Sequence, residues 1–194
     1  MSIPYVIEKG VNNQERVYDL YSRMLKDRII FIKGSFNQDM ADAVVAQLLF
    51  LESADSESDI FMYINSPGGS ISAMLAIHDV MNYIKCDVST IAYGTAASAA
   101  ALILMAGTKG KRLALPNTNI MIHEMAAGFE GKAKDMDNQW QHLSKTHKKL
   151  NKMISEFTGQ KLSRVEKDVK LDYYMSSDEA LKYGIIDKIL AKRD

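Results

Sequence analysis

The sequence predicts an α/β fold, because segments typical of buried strands alternate with segments typical of helices. The predicted strands are short and rich in β-branched or aromatic residues: 28–33, 59–65 and 87–93. Helical spacing of apolar residues is clearest where Met40, Val44, Leu48 and Leu51 recur. The predicted helices that follow the three strands cover about 38–52, 70–84 and 98–106.

The remaining segments are less regular. An extended arm through about Asn13 precedes a predicted helix at 14–26, and short strands are predicted at 113–115 and 118–123. Gly107 is expected to cap the helix that ends near Ala106.

A long helix is predicted at about 132–157, and its large or apolar residues alternate at steps of four and three, as in a heptad seam. These residues are Met136, Trp140, Leu143, His147, Leu150, Ile154 and Phe157. The helix is either an ordinary amphipathic helix on its own domain or a protruding helix that meets another subunit.

Composition excludes several function classes. The 194 residues are expected to form a single domain, 1–194, and the net charge of zero gives no electrostatic argument for binding nucleic acid or an anionic membrane. The lone Cys86 allows neither an internal disulfide nor a zinc cluster. Because the start resembles no secretory signal and the longest apolar run is too short to cross a bilayer, we expect a cytoplasmic protein.

Ser98 is a candidate nucleophile. It lies where the predicted strand 87–93 turns into an alanine-rich apolar helix, so its neighbours are small enough to let a substrate approach. Free backbone N–H groups at the start of a helix can bind an oxyanion. The arrangement resembles a nucleophile elbow, although Ala96 and Ala100 stand where the usual motif has glycine. A serine that merely caps a helix is the structural alternative.

Two further segments could complete such a site. Ser66-Pro67-Gly68-Gly69-Ser70 follows a strand, and its glycines can turn backbone N–H groups outward, as a tight turn or as an oxyanion hole. His123 ends the strand NIMIH and could act as a general base, although a strand-end histidine can equally be structural. The residues alone do not single out one acid among the 24 acidic residues.

Four segments occur together in one order: "YINSPGGS", "GTAAS" before an apolar helix, "GKRLALPNTNIMIH" and "DYYMSSDEALKYGIIDKIL". With them the chain resembles, nearly end to end, the proteolytic subunit of Clp protease, a self-compartmentalised serine protease. The resemblance implies a crotonase-like spiral of ββα units with a protruding handle helix. It also implies two stacked heptameric rings, homomeric or mixed, that work with an ATP-driven unfoldase on unfolded protein chains.

The resemblance also implies roles for individual residues. Ser98, His123 and Asp172 match the catalytic triad, and the N–H groups of Gly69 and Ala99 match the oxyanion hole. Residues 1–18 match an axial pore arm, 124–160 match the handle strand and helix, and no metal, cofactor or nucleotide is expected to bind. The implied substrate-binding residues are Gly68, in the turn after the second strand, and Glu124, Met125 and Ala126. The last three start a strand, from Glu124 to about Lys132, that the resemblance implies pairs with the substrate backbone. The implied unfoldase-docking residues are Phe61, Tyr63 and Leu190.

Departures from the family pattern suggest a divergent second copy that works best, or only, with a more typical partner ring. Residues 124–128 read EMAAG where the family has Gln-Pro-Leu-Gly-Gly, and Ala99-Ala100 replaces Met-Gly. Leu171 stands where an arginine forms ion pairs between rings, and Lys170 where an acid is common. The alternatives are a weakly active or scaffold subunit and, more remotely, a crotonase-like acyl-CoA enzyme.

Overall fold

The structure is a computed structural model that describes residues 3–9, 14–126, 128 and 130–192. Its strands are β1 (Tyr5–Lys9), β2 (Glu15–Asp19), β3 (Ile29–Lys33), β4 (Ile60–Ser66), β5 (Val88–Ala97), β6 (Arg112–Ala114), β7 (Asn119–Ile122), β8 (Tyr173–Ser176) and β9 (Lys188–Ile189). Its helices are α1 (Leu20–Lys26), α2 (Gln38–Ala54), α3 (Ile71–Tyr83), α4 (Ala99–Met105), α5 (Ala133–Thr158), α6 (Leu162–Asp168) and α7 (Ser177–Tyr183). The predicted α/β fold class is confirmed.

A mostly parallel sheet forms the centre of the fold. Its main path runs β3-β4-β5-β6-β9, and β7 pairs with both β5 and β8. The β7–β8 pair is antiparallel, whereas the other pairs in this sheet are parallel. Helices α2, α3 and α4 connect successive strands, as parallel pairing requires, and they bury the apolar residues that the strands carry.

The N-terminal segment differs from the prediction in one element. The helix predicted at 14–26 begins only at Leu20, because Asp19 caps it by accepting hydrogen bonds from the N–H groups of Tyr21 and Ser22. The preceding β2 pairs antiparallel with β1, from Tyr5 opposite Asp19 to Lys9 opposite Glu15. The extended arm is therefore half of a hairpin, and residues 1, 2 and 10–13 of the predicted pore arm lie outside the described residues.

Gly107 does not cap α4 as predicted. The cap residue is Ala106 in a right-handed conformation, and Gly107 lacks the left-handed backbone of a glycine cap. A Cβ at Gly107 would lie 2.3 Å from Thr90 Oγ1, so glycine is needed here for close packing against β5.

The long helix α5 confirms the prediction for 132–157. Its C-terminal part packs on the core through Leu150, Met153 and Ile154, whereas Trp140 in its N-terminal part is 62% exposed. No helix among the described residues is long and apolar enough to cross a membrane.

A buried ion pair fixes the end of α5 to the sheet. Arg112 is 5% exposed, bonds both carboxylate oxygens of Asp187 and donates a third hydrogen bond to the Phe157 carbonyl at 2.9 Å. Burial raises the pKa of Asp187, but the hydrogen bonds from Arg112 outweigh that effect and hold the pKa below its usual range. The carboxylate therefore stays charged beside Arg112, and the C-terminal end of α5 is held next to β6.

Candidate active site

Strand pairing brings three chemically complementary side chains to one end of the sheet. Ala97 is paired with Met121 in the β5–β7 pair, and Ile122 is paired with Tyr173 in the β7–β8 pair. Ser98 follows the end of β5, His123 follows the end of β7, and Asp172 precedes β8. Residues separated by up to 74 positions in sequence thus meet at adjacent strand ends.

The side chains form a continuous hydrogen-bonded series. His123 Nε2 lies 2.9 Å from Ser98 Oγ, and His123 Nδ1 lies 2.9 Å from Asp172 Oδ1. An ionised carboxylate can only accept hydrogen bonds, so it selects the tautomer in which Nδ1 carries the proton. Nε2 is then the acceptor for the Ser98 hydroxyl proton, which is the arrangement that an activated serine nucleophile requires.

Ser98 adopts a backbone conformation that is unusual for a residue with a side chain. Its φ is 55° and its ψ is −119°, between the end of β5 and the first turn of α4. Its N–H donates to the Met121 carbonyl at 2.8 Å, and its carbonyl accepts from Leu102 N–H at 3.2 Å. The backbone at Ser98 therefore has the strand-to-helix turn geometry that was predicted, with alanines in place of the glycines of the usual elbow motif. Ser98 makes no side-chain capping bond, so the helix-capping alternative is not supported.

The turn after β4 packs directly against this elbow. A Cβ at Gly68 would lie 2.7 Å from Ser98 Cβ and 2.8 Å from the Ala97 carbonyl oxygen. A Cβ at Gly69 would lie 2.6 Å from the Phe36 carbonyl oxygen. Both glycines have positive φ, +98° and +143°, so the sequence Gly-Gly is required both for space and for backbone conformation.

A cavity of about 270 Å³ opens beside Ser98 Oγ. Gly69, Ala99 and His123 line it beside Ser98, and most of its other lining residues are apolar. Among the described residues, no hydrogen bond is made by the N–H groups of Gly69 and Ala99. These two N–H groups and the Ser98 hydroxyl border the same space, as an oxyanion site would require.

The predicted substrate-binding residues divide into two groups. Met125 and Ala126 line the cavity and Gly68 contacts Ser98, whereas the Glu124 side chain points to α5, with its Oε2 3.9 Å from His147 Nε2. The strand predicted from Glu124 to about Lys132 is absent from the described residues of that segment. A strand is defined by backbone pairing, and among the described residues of 124–132 such pairing consists of one bond, from Glu124 N–H to the Val169 carbonyl at 2.7 Å.

The predicted docking residues Phe61, Tyr63 and Leu190 lie together in a different place. They line a second cavity, of about 760 Å³, on the face of the sheet beside α1. Met24, Ile91 and Leu113 complete much of its apolar wall. Phe61 is 38% exposed, so part of this aromatic surface faces solvent in the single chain.

Several residues of the site were missed by sequence reasoning. Leu102 of α4 and Leu150 and Ile154 of α5 form the apolar wall of the cavity. The heptad stripe included Leu150 and Ile154 but left open whether they pack on this domain or on another subunit, and it gave no indication that they line a cavity beside Ser98. Among the described residues, no group of three or more His, Cys, Asp or Glu residues could hold a metal ion.

Comparison with known families gives one finding. The family model described as Clp protease matches residues 12–193, which is nearly the whole chain. The match covers all of the residues that build the site described above.

The contact between Gly68 and the elbow predicts a strong effect of Gly68→Ala on Ser98 reactivity. The added Cβ must displace Ser98 or the turn, and a displacement of about 1 Å can lower reactivity about 100-fold. The rate at which a fluorophosphonate labels Ser98, followed by intact mass, measures this effect.

The matched control for that measurement is Gly34→Ala. Gly34 also has a positive φ, +76°, but a Cβ there meets no atom within 4 Å. A Gly68→Ala protein that labels as fast as Gly34→Ala would contradict the close contact between turn and elbow.

Proposed function

The chain belongs to the Clp protease family of peptidases, and we propose that it is a serine endopeptidase subunit that cuts unfolded protein chains into short peptides. The observation that carries this proposal is the unbroken series of hydrogen bonds from Ser98 through His123 to Asp172. A nucleophile, a base and an orienting acid in this geometry can hydrolyse an amide without a cofactor.

The proposed reaction begins with attack of Ser98 Oγ on the carbonyl carbon of the scissile bond. The hydroxyl proton passes to His123 Nε2, and the negative charge that develops on the carbonyl oxygen is held by the N–H groups of Gly69 and Ala99. His123 then donates this proton to the leaving amine, and the C–N bond breaks to give an acyl-enzyme. Water, deprotonated by His123, attacks the ester carbon. The bond to Ser98 Oγ then breaks, His123 returns the proton to Oγ, and the second product leaves. Asp172 orients the imidazole throughout and stabilises its protonated form.

The apolar cavity supports a preference for an apolar side chain at the residue before the scissile bond. Leu102, Leu150 and Ile154 offer a side chain apolar contacts but no ionic partner, and Met125 covers the same space. A leucine or methionine gains from burial there, whereas a carboxylate would lose its hydration without compensation.

Ring assembly and an ATP-driven unfoldase are the proposed context of this activity. The cavity lined by Phe61, Tyr63 and Leu190 supports docking of an apolar or aromatic segment of the unfoldase. The half-exposed α5, with Trp140 62% exposed, supports a contact between stacked heptameric rings.

A partner-dependent subunit is the second candidate function. Leu171 is 81% exposed next to Asp172, and it cannot form the ion pair that an arginine would form there. In this candidate the chain needs a second type of ring for full activity, although its own Ser98 performs the chemistry.

Substitution of the triad tests the proposed chemistry. In the purified chain, Ser98→Ala, His123→Ala and Asp172→Asn are each expected to lower kcat by about 10⁴-fold or more, because the three groups act as one unit. The measurement is hydrolysis of an unstructured peptide, together with the mass of a fluorophosphonate adduct on Ser98.

Ser163→Ala, at an exposed serine of α6, is the matched control and should hydrolyse the peptide as fast as the wild type. Equal activity in Ser98→Ala and Ser163→Ala would refute the proposed nucleophile. A folded chain that acquires activity and the adduct only after addition of a second Clp ring would establish the partner-dependent candidate.

Peptide pairs that differ at one position test the cavity. A peptide with leucine before the scissile bond is expected to exceed the same peptide with aspartate by about 100-fold in kcat/KM, since a desolvated charge costs several kcal/mol. Moving the same exchange several residues away from the scissile bond provides the control. Equal kcat/KM values for the first pair would show that the cavity does not receive this side chain.

Phe61→Ala tests the docking surface. We expect at least a tenfold weaker binding of the unfoldase ring, about the effect of truncating one aromatic interface residue, with unchanged hydrolysis of short peptides. Sedimentation velocity with the unfoldase of the same cell measures the binding. Tyr83→Ala removes an aromatic side chain that is 78% exposed elsewhere on the surface, and it should bind like the wild type. The same loss in both variants would contradict docking at this cavity.

A further inference from the structure

The turn between β4 and α3 contains a buried hydroxyl that the proposed mechanism does not use. Ser66 is the last residue of β4, is 1% exposed and is paired with Ala96 of β5. Its Oγ accepts a hydrogen bond from Gly68 N–H at 3.1 Å. A serine hydroxyl that bonds the backbone two residues later stabilises a local turn.

The two glycines that follow have no conformational preference of their own to keep this turn in place. Glycine populates positive and negative φ about equally, so the peptide that joins Gly68 to Gly69 can rotate at little steric cost unless its polar groups are held. The direction of the Gly69 N–H group therefore depends on neighbouring hydrogen bonds.

A second bond holds the same turn from the opposite side. The Gly68 carbonyl accepts from Phe36 N–H at 2.8 Å, and the Phe36 carbonyl accepts from Ser70 N–H at 3.0 Å. In a trans peptide the C=O and the next N–H point in opposite directions. Because the Gly68 carbonyl points to Phe36, the Gly69 N–H points away from Phe36, and Gly69 borders the cavity beside Ser98.

We propose that Ser66 is a positioning residue, whose hydroxyl fixes Gly68 and thereby aims the Gly69 N–H at the oxyanion. Phe36 bonds the carbonyl of the peptide between Gly68 and Gly69, and Ser66 bonds the N–H of the peptide before it, so Gly68 is held on both sides. The inference rests on the proposed function, because it assigns Gly69 N–H to the developing oxyanion. Loss of the Ser66 hydroxyl leaves Gly68 N–H without its acceptor and lets the peptide leave the productive orientation.

Ser66→Ala tests this role through kcat and KM measured separately. The oxyanion develops in the transition state and not in the bound substrate, so kcat should fall while KM stays within about twofold. Complete loss of one oxyanion donor lowers kcat by about 10²–10³-fold. Because Ser66→Ala only misorients the donor, we expect a smaller fall in kcat, of at least about tenfold. The affinity for a peptide aldehyde, which forms a tetrahedral adduct with Ser98, should fall by the same factor as kcat/KM. A merely structural role would not link these two quantities.

Ser89→Ala is the matched control, because Ser89 is 3% exposed and its hydroxyl donates to the Lys111 carbonyl at 3.1 Å, away from the cavity. It should lose stability as Ser66→Ala does, but keep kcat. Ser66→Cys fills the same space with a weaker acceptor, and its kcat should lie between those of the wild type and Ser66→Ala even if the alanine variant folds poorly.

The outcomes separate this inference from the proposed function. A kcat of Ser66→Ala equal to that of Ser89→Ala, or a raised KM with unchanged kcat, would overturn the role of Ser66 alone. A wild-type protein without Ser98-dependent hydrolysis would overturn the proposed function and the role of Ser66 with it.

Discussion

The site depends above all on the position of β7 between β5 and β8. Ser98 is bound to β7 through its N–H bond to Met121, and His123 and Asp172 face each other where the β7–β8 pair ends. A slip of one residue in either pairing would turn His123 to the opposite face of the sheet. The pairing of the strands therefore determines how Ser98, His123 and Asp172 are placed. The two hydrogen bonds of His123 are a consequence of that placement.

The small residues around Ser98 are explained by the conformation that Ser98 must hold. A positive φ at a residue with a side chain costs on the order of 1–3 kcal/mol, so it persists only where the surroundings leave no alternative. All seven residues of α4 are buried, and Gly68 closes the space in front of the elbow. An apolar helix beneath a hydroxyl is thus a rigid support, which keeps Ser98 in a conformation that an isolated turn would not hold.

Local sequence patterns predicted most of the fold, because the apolar spacing of each strand and helix is visible within a short stretch of sequence. The hairpin of β1 and β2 was not predicted, since Glu15–Asp19 becomes a strand only through pairing with Tyr5–Lys9. Asp172 could be placed beside His123 only by resemblance, because the β7–β8 register that unites them spans a long stretch of sequence. Ser66 lay in a turn that was singled out for its glycines, but no pattern indicated a role for its hydroxyl, because the proposed role depends on where Gly68 and Gly69 lie relative to Phe36.

Chemistry and assembly have different requirements in this chain. The hydrogen-bonded series is complete within one chain, yet the Asp172 side chain is 54% exposed. Its neighbour Leu171 is 81% exposed, and Tyr174, whose hydroxyl donates to Asp172 Oδ2 at 3.5 Å, is 57% exposed. Covering these neighbours in a ring pair would remove water from Asp172, and lower local polarity strengthens its interaction with a protonated His123. In the proposed assembly, ring contact would then strengthen the interaction between Asp172 and His123 without building its geometry, and the exposed Leu171 lies where such a contact would act.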